Sequence, residues 1–324
     1  MSRLINKPME WYPKKFSPGD IEGGGALRLL GKPKIPLVAV LVRETAQNSW
    51  DAKLPDQTVK FVMHGHTLAP ESMEALRNSV FTEPGAGTGM GELLEKNSID
   101  VLEICDRGTT GLGGPVRNDN TYQAAEITDY VDFVLNIGAK QDKAMGGGTY
   151  GYGKTVCYLA SAVQTVVIWT RTQVDGQLQS RLIVSAFGEQ FDLNGNRYTG
   201  RQWWGKTDEG SIEPVIGEDA DRLGNCLFSQ PFEYDETGTS LLILSPNLTD
   251  SLEQLTHQCA TSILWNLWPK LIPFSGGEAL MDITVMCHGR NIEIPDPTTH
   301  SYLCLLYTSP SPRDQRGSRM PSSA

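Results

Sequence analysis

The chain has 324 residues, 39% of them hydrophobic and 20% charged, and a formal net charge of −10. That length and apolar content support a buried core and exclude a compositionally disordered chain. The acidic balance repels phosphate backbones on average, which disfavours direct nucleic-acid binding by this segment and leaves the full-length protein open.

Residues 1–34 are rich in Pro, Gly and Lys and read as an irregular N-terminal arm. Residues 1–20 carry Lys7, Lys14 and Lys15 but no apolar stretch, and no run in the chain approaches membrane-spanning length. The six cysteines have no CxxC spacing and no histidine at zinc-finger spacing. A soluble, cytoplasmic protein without a disulfide frame is therefore expected, with no membrane partner.

Pro36 suits the first turn of a helix, and Val38, Leu41, Val42 and Thr45 recur after it at helical spacing. Residues 60–64 read as a strand, 69–77 as a helix and 100–105 as an alternating strand that ends at Asp106-Arg-Gly. Residues 107–147 are polar and glycine-spotted, with one helix expected over 122–135. A segment of that length between glycine-rich turns suits a lid. A helix is expected from Thr155, then strands over 165–170, 181–186 and 239–244. A polar insertion containing Trp203, Trp204 and the acidic stretch 208–221 separates the last two. Residues 252–268 form an amphipathic helix stopped by Pro269, and 280–286 with 291–294 resemble a hairpin that starts a second domain.

Glu44, Asn48 and Asp51 stand at i, i+4 and i+7, which puts them on one narrow helical stripe. Polar residues on an otherwise apolar helix call for a wet pocket or a cation. An Asn amide oxygen suits Mg²⁺, which keeps several waters and few protein ligands, and a nearby Glu can polarise an attacking water. The carboxylate of Asp106, at a strand end, can accept a hydrogen bond from an exocyclic amine such as that of adenine. Gly108 and Gly111 after it let a flat ring approach the backbone. Gly146-Gly-Gly-Thr-Tyr-Gly-Tyr-Gly-Lys154 precedes a helix and offers backbone N–H groups to an anion. Gly238-Thr239 opens a later strand.

The ordered set Glu44-x₃-Asn48-x₂-Asp51, Asp106-x-Gly108-x₂-Gly111, Gly148-x₂-Gly151-x-Gly153 and Gly238-Thr239 resembles the pattern of the GHKL ATPase superfamily. It is closest to the heat-shock chaperone, MutL, MORC and type IIB topoisomerase branch, over about residues 35–245. The resemblance implies a Bergerat fold: a two-layer α/β sandwich with a mixed, mostly antiparallel sheet and helices on one face. It implies ATP with Mg²⁺ as ligand and slow hydrolysis coupled to lid closure or dimerisation. Glu44 is then the general base, Asn48 the Mg²⁺ ligand and Asp51 its support. Asp106 binds the adenine amine, with Thr239 joining through water, while Gly108 and Gly111 flank the base. Gly148, Gly151 and Gly153 wrap the phosphates, with Lys154 in reach. A homodimer through the arm or the lid is the implied partner. No phosphoacceptor histidine helix precedes Glu44, which argues against a histidine kinase.

Two other readings stand beside this one. Gly148-Thr-Tyr-Gly-Tyr-Gly-Lys-Thr155 also fits the Walker A string of a P-loop NTPase, but the polar residues before it do not make a central strand, and Glu44, Asn48, Asp51 and Asp106 stay unexplained. A non-hydrolysing module regulated by ATP is the other. His64 and His66 are read as a strand-end turn rather than a metal site, with no acidic or cysteine partner nearby. Trp203 and Trp204 are read as a packed insertion, and Trp265 and Trp268 as core. The expected organisation is an arm (1–34), an ATP-binding domain (35–249), and a linker helix with the start of a truncated second domain (250–303). Residues 304–324 resemble a translated sequencing adaptor, so the natural chain is expected to continue differently past residue 303.

Overall fold

The computed structural model describes residues 4–25, 35–119, 121–122, 127–136, 152–208, 210–272 and 279–303, with backbone only at 152–154. The chain is mixed α/β, built on a large, mostly antiparallel sheet of twelve strands. In chain order these are β1 (Glu10–Lys15), β2 (Val59–Thr67), β3 (Asp100–Arg107), β4 (Thr165–Val174), β5 (Gln177–Phe187), β6 (Phe191–Leu193), β7 (Asn196–Asp208), β8 (Ser211–Glu213), β9 (Val215–Ile216), β10 (Gly238–Leu244), β11 (Met281–Cys287) and β12 (Arg290–Ile292). The helices are α1 (Leu37–Asp51), α2 (Pro70–Ala75), α3 (Met90–Glu95), α4 (Tyr152–Leu159), α5 (Glu218–Leu227) and α6 (Leu252–Leu271), with π-turns at Leu76–Val80 and Val131–Leu135.

The main path of the sheet runs β1-β7-β5-β4-β10-β3-β2-β11-β12. Neighbours are antiparallel except β2 and β11, which run parallel. Strand β4 is rich in β-branched residues and carries Trp169, the types that fit a pleated, buried surface, and β10 is a mostly aliphatic, buried run. Two-residue turns at Asp175-Gly176, Asn194-Gly195 and His288-Gly289 carry positive φ at both positions, the twist that matches a right-handed hairpin.

Side chains alternate between the two sheet faces, and each face has its own core. Phe61, Met63, Leu102, Ile104, Val166, Ile168, Leu241 and Ile243 pack with α1, α4 and α6. The intervening residues Val101, Val167, Trp169, Leu242 and Leu244 pack with α2, α3 and α5. Helices therefore cover both faces, a departure from the expected single layer. The short helices α3 and α5 on the second face have weak sequence signals; the tertiary contacts of Leu93, Leu94, Ala220 and Leu223 hold them.

Helix α1 follows its pattern: Val38, Leu41, Val42 and Thr45 are buried, as are Val40 and Ala46. Full burial of each Val or Leu contributes about 1.5–3 kcal/mol, which fixes the helix rotation and so the stripe bearing Asn48. Helix α6 runs past the expected stop and holds Pro269 inside it. Its core face is Cys259, Ile263, Leu264 and Leu267, while Trp265 is 49% exposed. Trp265 is thus a surface residue, contrary to its expected core role. Trp203 and Trp204 are buried in β7.

The expected division of the chain also differs from the strand arrangement. β1, placed in the arm by sequence, pairs antiparallel with β7. β11, placed in a second domain, pairs with β2, and α6 packs on α1. Both belong to the same sheet as the central strands. Of the expected helix over 122–135, residues 131–135 form a π-turn and 123–126 lie outside the described residues. No helix among the described residues is long and apolar enough to cross a membrane.

Candidate functional site

A cavity of about 240 Å³ lies between α1, the end of β3, the start of β10 and the segment after β3. Asn48, Asp51, Asp106, Gly111 and Thr239 line it, together with Phe133. The sequence motifs on α1, β3 and β10 converge there because β3 and β10 are neighbours, with Thr239 opposite Asp106.

Asp106 organises the floor. Its Oδ1 accepts from the Thr109 hydroxyl at 2.5 Å and from the Thr239 backbone N–H at 2.9 Å. Its Oδ2 accepts from the Ser49 hydroxyl at 2.9 Å. A carboxylate oxygen has two lone pairs, so Oδ2 keeps capacity for another donor. Burial pushes the Asp106 carboxyl above its ordinary value, against the pull of Thr109, Ser49 and Thr239. The bonds do not fully repay the desolvation.

At both glycines after Asp106 the close approach is to the protein's own backbone, and of the two only Gly111 lines the cavity. Gly108 (φ 74°) leaves only 2.8 Å between an added Cβ and the Thr58 carbonyl oxygen, and at Gly111 (φ 65°) a Cβ would collide with the Arg171 carbonyl. The segment after Asp106 is tied to the sheet. Leu112 N–H donates to Thr170 Oγ1 (2.9 Å), the Thr172 hydroxyl donates to the Thr110 carbonyl (2.9 Å), and Arg181 Nη1 donates to the carbonyls of Leu112 (3.1 Å) and Gly114 (2.8 Å).

The α1 stripe divides. Asn48 is exposed, and its amide makes no hydrogen bond among the described residues. Asp51 lines the cavity while accepting from Gln47 Nε2 at 2.8 Å. Glu44, one turn earlier, is 5% exposed, bonds Arg43 at 2.8 Å and does not line the cavity. Lys53 lines the mouth, where its ammonium lies 5.3 Å from the Trp50 ring; Lys270 of α6 sits 3.2 Å from the other partner of that pair, the same ring.

Of the glycine-rich segment, Gly148 and Gly151 lie outside the described residues, as does the side chain of Lys154. Gly153 and Lys154 fall in the first turn of α4, and Thr155 is buried. Sequence reasoning missed Ser49 and Thr109, the two hydroxyls on Asp106. Thr109, three residues on, had a local signal, since a buried carboxylate needs donors; Ser49, 57 positions away, had none.

On the opposite face of β3, Glu103, Cys105 and Arg107 form a second polar group. Arg107 donates to the Asp106 carbonyl (2.6 Å), Ser240 Oγ (3.1 Å) and the Gln230 carbonyl (2.6 Å), and lies 3.7 Å over the Phe232 ring. His64 and His66 lie within β2, not at a strand-end turn, and Glu103 is the Cα partner of His64. The absence of an acidic neighbour expected from sequence is thus corrected: the carboxylate comes from the adjacent strand. No model of a known protein family matches this chain, and no curated protein sequence does.

Proposed function

We propose that the chain binds ATP with Mg²⁺ in the cavity over Asp106, as a nucleotide-binding module of the GHKL type. The observation that carries this reading is the Asp106 carboxylate: it sits on the cavity floor with an unfilled acceptor site on Oδ2. An acceptor-only group in that position selects a ring bearing an N–H donor, as adenine does and the carbonyl edge of guanine does not. The apolar side of the cavity, Ile104, Leu112, Phe133 and Leu241, suits the faces of a base.

Asn48 fits a Mg²⁺ that arrives with the phosphates. Its amide is exposed to the cavity, and a single neutral oxygen is the modest kind of ligand that a hydrated Mg²⁺ accepts. Bound Mg²⁺ would neutralise phosphate charge; Asn48 would orient it. The position of Glu44 supports binding more strongly than hydrolysis, because its carboxylate is buried beside Arg43 rather than open to the cavity. Slow hydrolysis with Glu44 as base, and coupling to lid closure or to a homodimer through the arm, complete the reading. The finer architecture it assumes is the Bergerat sandwich on the face that carries α1, α4 and α6.

Two variants separate binding from chemistry. Asn48→Ala should abolish the Mg²⁺-dependent part of ATP affinity in a calorimetric titration. Glu44→Ala should keep binding and lower any turnover by about 10²–10⁴. Loss of binding in Glu44→Ala, with Asn48→Ala silent, would reverse the roles and defeat this assignment.

A further inference from the structure

We propose that His64, His66 and Glu103 form a site for one transition-metal dication of borderline softness, with Zn²⁺ as the natural fit. The site lies on the face of β2 and β3 away from the nucleotide cavity and does not depend on the ATP reading.

Strand geometry makes the cluster. His64 and His66 are two apart on β2 and so share a face, and the antiparallel register sets Glu103 opposite His64. The two imidazoles stack with centroids 4.5 Å apart and 30° between planes. One donor atom from each of the three residues can be chosen so that all lie within 4.8 Å of one another. His66 Nε2 is 3.3 Å from Glu103 Oε2, long for a hydrogen bond between such groups. Zinc–ligand bonds of about 2.0–2.1 Å in a tetrahedron give a ligand–ligand edge of roughly 3.4 Å, so that pair already has the spacing of two zinc ligands. From a spread of 4.8 Å, His64 has to close by up to about 1.4 Å, within reach of a side-chain rotation.

The electrostatics of Glu103 ask for a cation. Its side chain is fully buried. Its Oε1 accepts from Cys105 Sγ at 3.0 Å, and its Oε2 faces His66 Nε2. Among the described residues no lysine or arginine bonds it; His66 is its sole basic partner. Ser229 N–H (2.8 Å), Ser229 Oγ (2.8 Å) and Gln230 N–H (3.1 Å) orient the carboxylate, the role that outer partners play around metal ligands. Two nitrogens and one carboxylate oxygen are a zinc-type set; Mg²⁺ and Ca²⁺ prefer all-oxygen surroundings.

Metal binding has a defined hydrogen-bond consequence. The Gly289 N–H donates to His64 Nε2 at 3.0 Å, so the ring proton sits on Nδ1, facing Ser229 Oγ at 2.7 Å. An ion bound at Nδ1 displaces the Ser229 hydroxyl and moves that proton to Nε2. His66 likewise moves its proton from Nε2 to Nδ1. Gly289 in the β11–β12 turn then loses its acceptor.

The test is a Co²⁺ titration of chelator-treated protein in nucleotide-free buffer, read by visible ligand-field absorption, with Zn²⁺ as competitor. One equivalent of Co²⁺ should bind and be displaced by Zn²⁺, and the Gly289 amide should shift and exchange faster with solvent. His66→Gln keeps an N–H toward Glu103 and removes the imidazole; it should weaken binding by more than about 100-fold while retaining the circular dichroism of the parent. His257→Ala, an exposed histidine on α6, should bind as the parent does. Absence of a Co²⁺ signal at millimolar metal, parent-like binding by His66→Gln, or loss of the signal in His257→Ala would each overturn the proposal. Should His66→Gln not fold, the Gly289 amide response of the parent protein decides: no change with one equivalent of metal refutes the site.

Discussion

Besides the exposed Asp100, strand β3 carries two carboxylates three residues apart, on opposite faces of the sheet, and their surroundings push them in opposite directions. Asp106 holds three donors at a cavity wall, and burial wins: its carboxyl is raised. Glu103 accepts from Ser229, Gln230, Cys105 and His66, and those bonds win: its carboxyl is lowered. The same chemical group is thus prepared for two kinds of partner. Asp106 keeps an unfilled acceptor and suits an uncharged N–H donor, such as the amine of a base. Glu103 stays anionic amid imidazoles and suits a cation. Enclosure alone does not mark a functional carboxylate; the ratio of donors to lone pairs does.

The comparison breaks most visibly in stability. Glu103→Ala strands the Ser229 and Gln230 amides in a buried site and should destabilise the fold by about 3–5 kcal/mol in urea unfolding. Asp106→Ala should cost no more than about 1–2 kcal/mol, because its removal also relieves a desolvated charge. Equal losses would erase the distinction. The order should invert for ligand affinity. Asp106→Asn can turn an amide donor toward the adenine amine, and should weaken ATP binding by about 10–100-fold, equivalent to roughly 1.5–3 kcal/mol.

A pH series sharpens the same contrast. Asp106 must be ionised to serve as a pure acceptor. Its folded value lies above the ordinary 3.8. ATP affinity should therefore be full above that raised value and fall as pH drops through it, while Asp106→Asn stays flat across the same window. Stability of the free protein runs the other way. Between 3.8 and the raised value the unfolded carboxyl is ionised and the folded one is not, so Asp106 makes the free fold less stable as pH rises through that window. The smallest effect is assigned to Thr155→Ala, which should change Mg²⁺–ATP affinity by less than about threefold, under roughly 0.7 kcal/mol. A large loss there would favour the P-loop reading, in which that hydroxyl holds the metal.

What was legible in the sequence follows from range. Helix α1 could be read because its burial period is local, and Asp106 with its glycines because a strand end followed by Gly-x₂-Gly is local too. Ser49 as a donor to Asp106 spans 57 positions, and the meeting of His66 with Glu103 spans 37. Neither contact has a local signature; both depend on the register of α1 over β3 and of β2 beside β3. On the second face, α2 falls within the helix expected over 69–77, while α3 and α5 have no such local signal for a related reason. Helix α5 opens on Glu218, Asp219 and Asp221, which reads as a polar insertion until Ala220, Leu223 and Leu227 are seen against Trp169 and Leu182. β1 and β11 were assigned outside the central unit because only long-range pairing, with β7 and β2, brings them into the sheet.

The central claim is that Asp106 reads an adenine amine, and thermal unfolding in the presence of Mg²⁺–ATP and Mg²⁺–GTP tests it most directly. At about 100-fold over its dissociation constant, ATP should stabilise the protein by roughly 2.7 kcal/mol, with GTP giving a much smaller shift and Asp106→Asn losing most of the ATP effect. Equal shifts with ATP and GTP, or an ATP shift unchanged in Asp106→Asn, would contradict it.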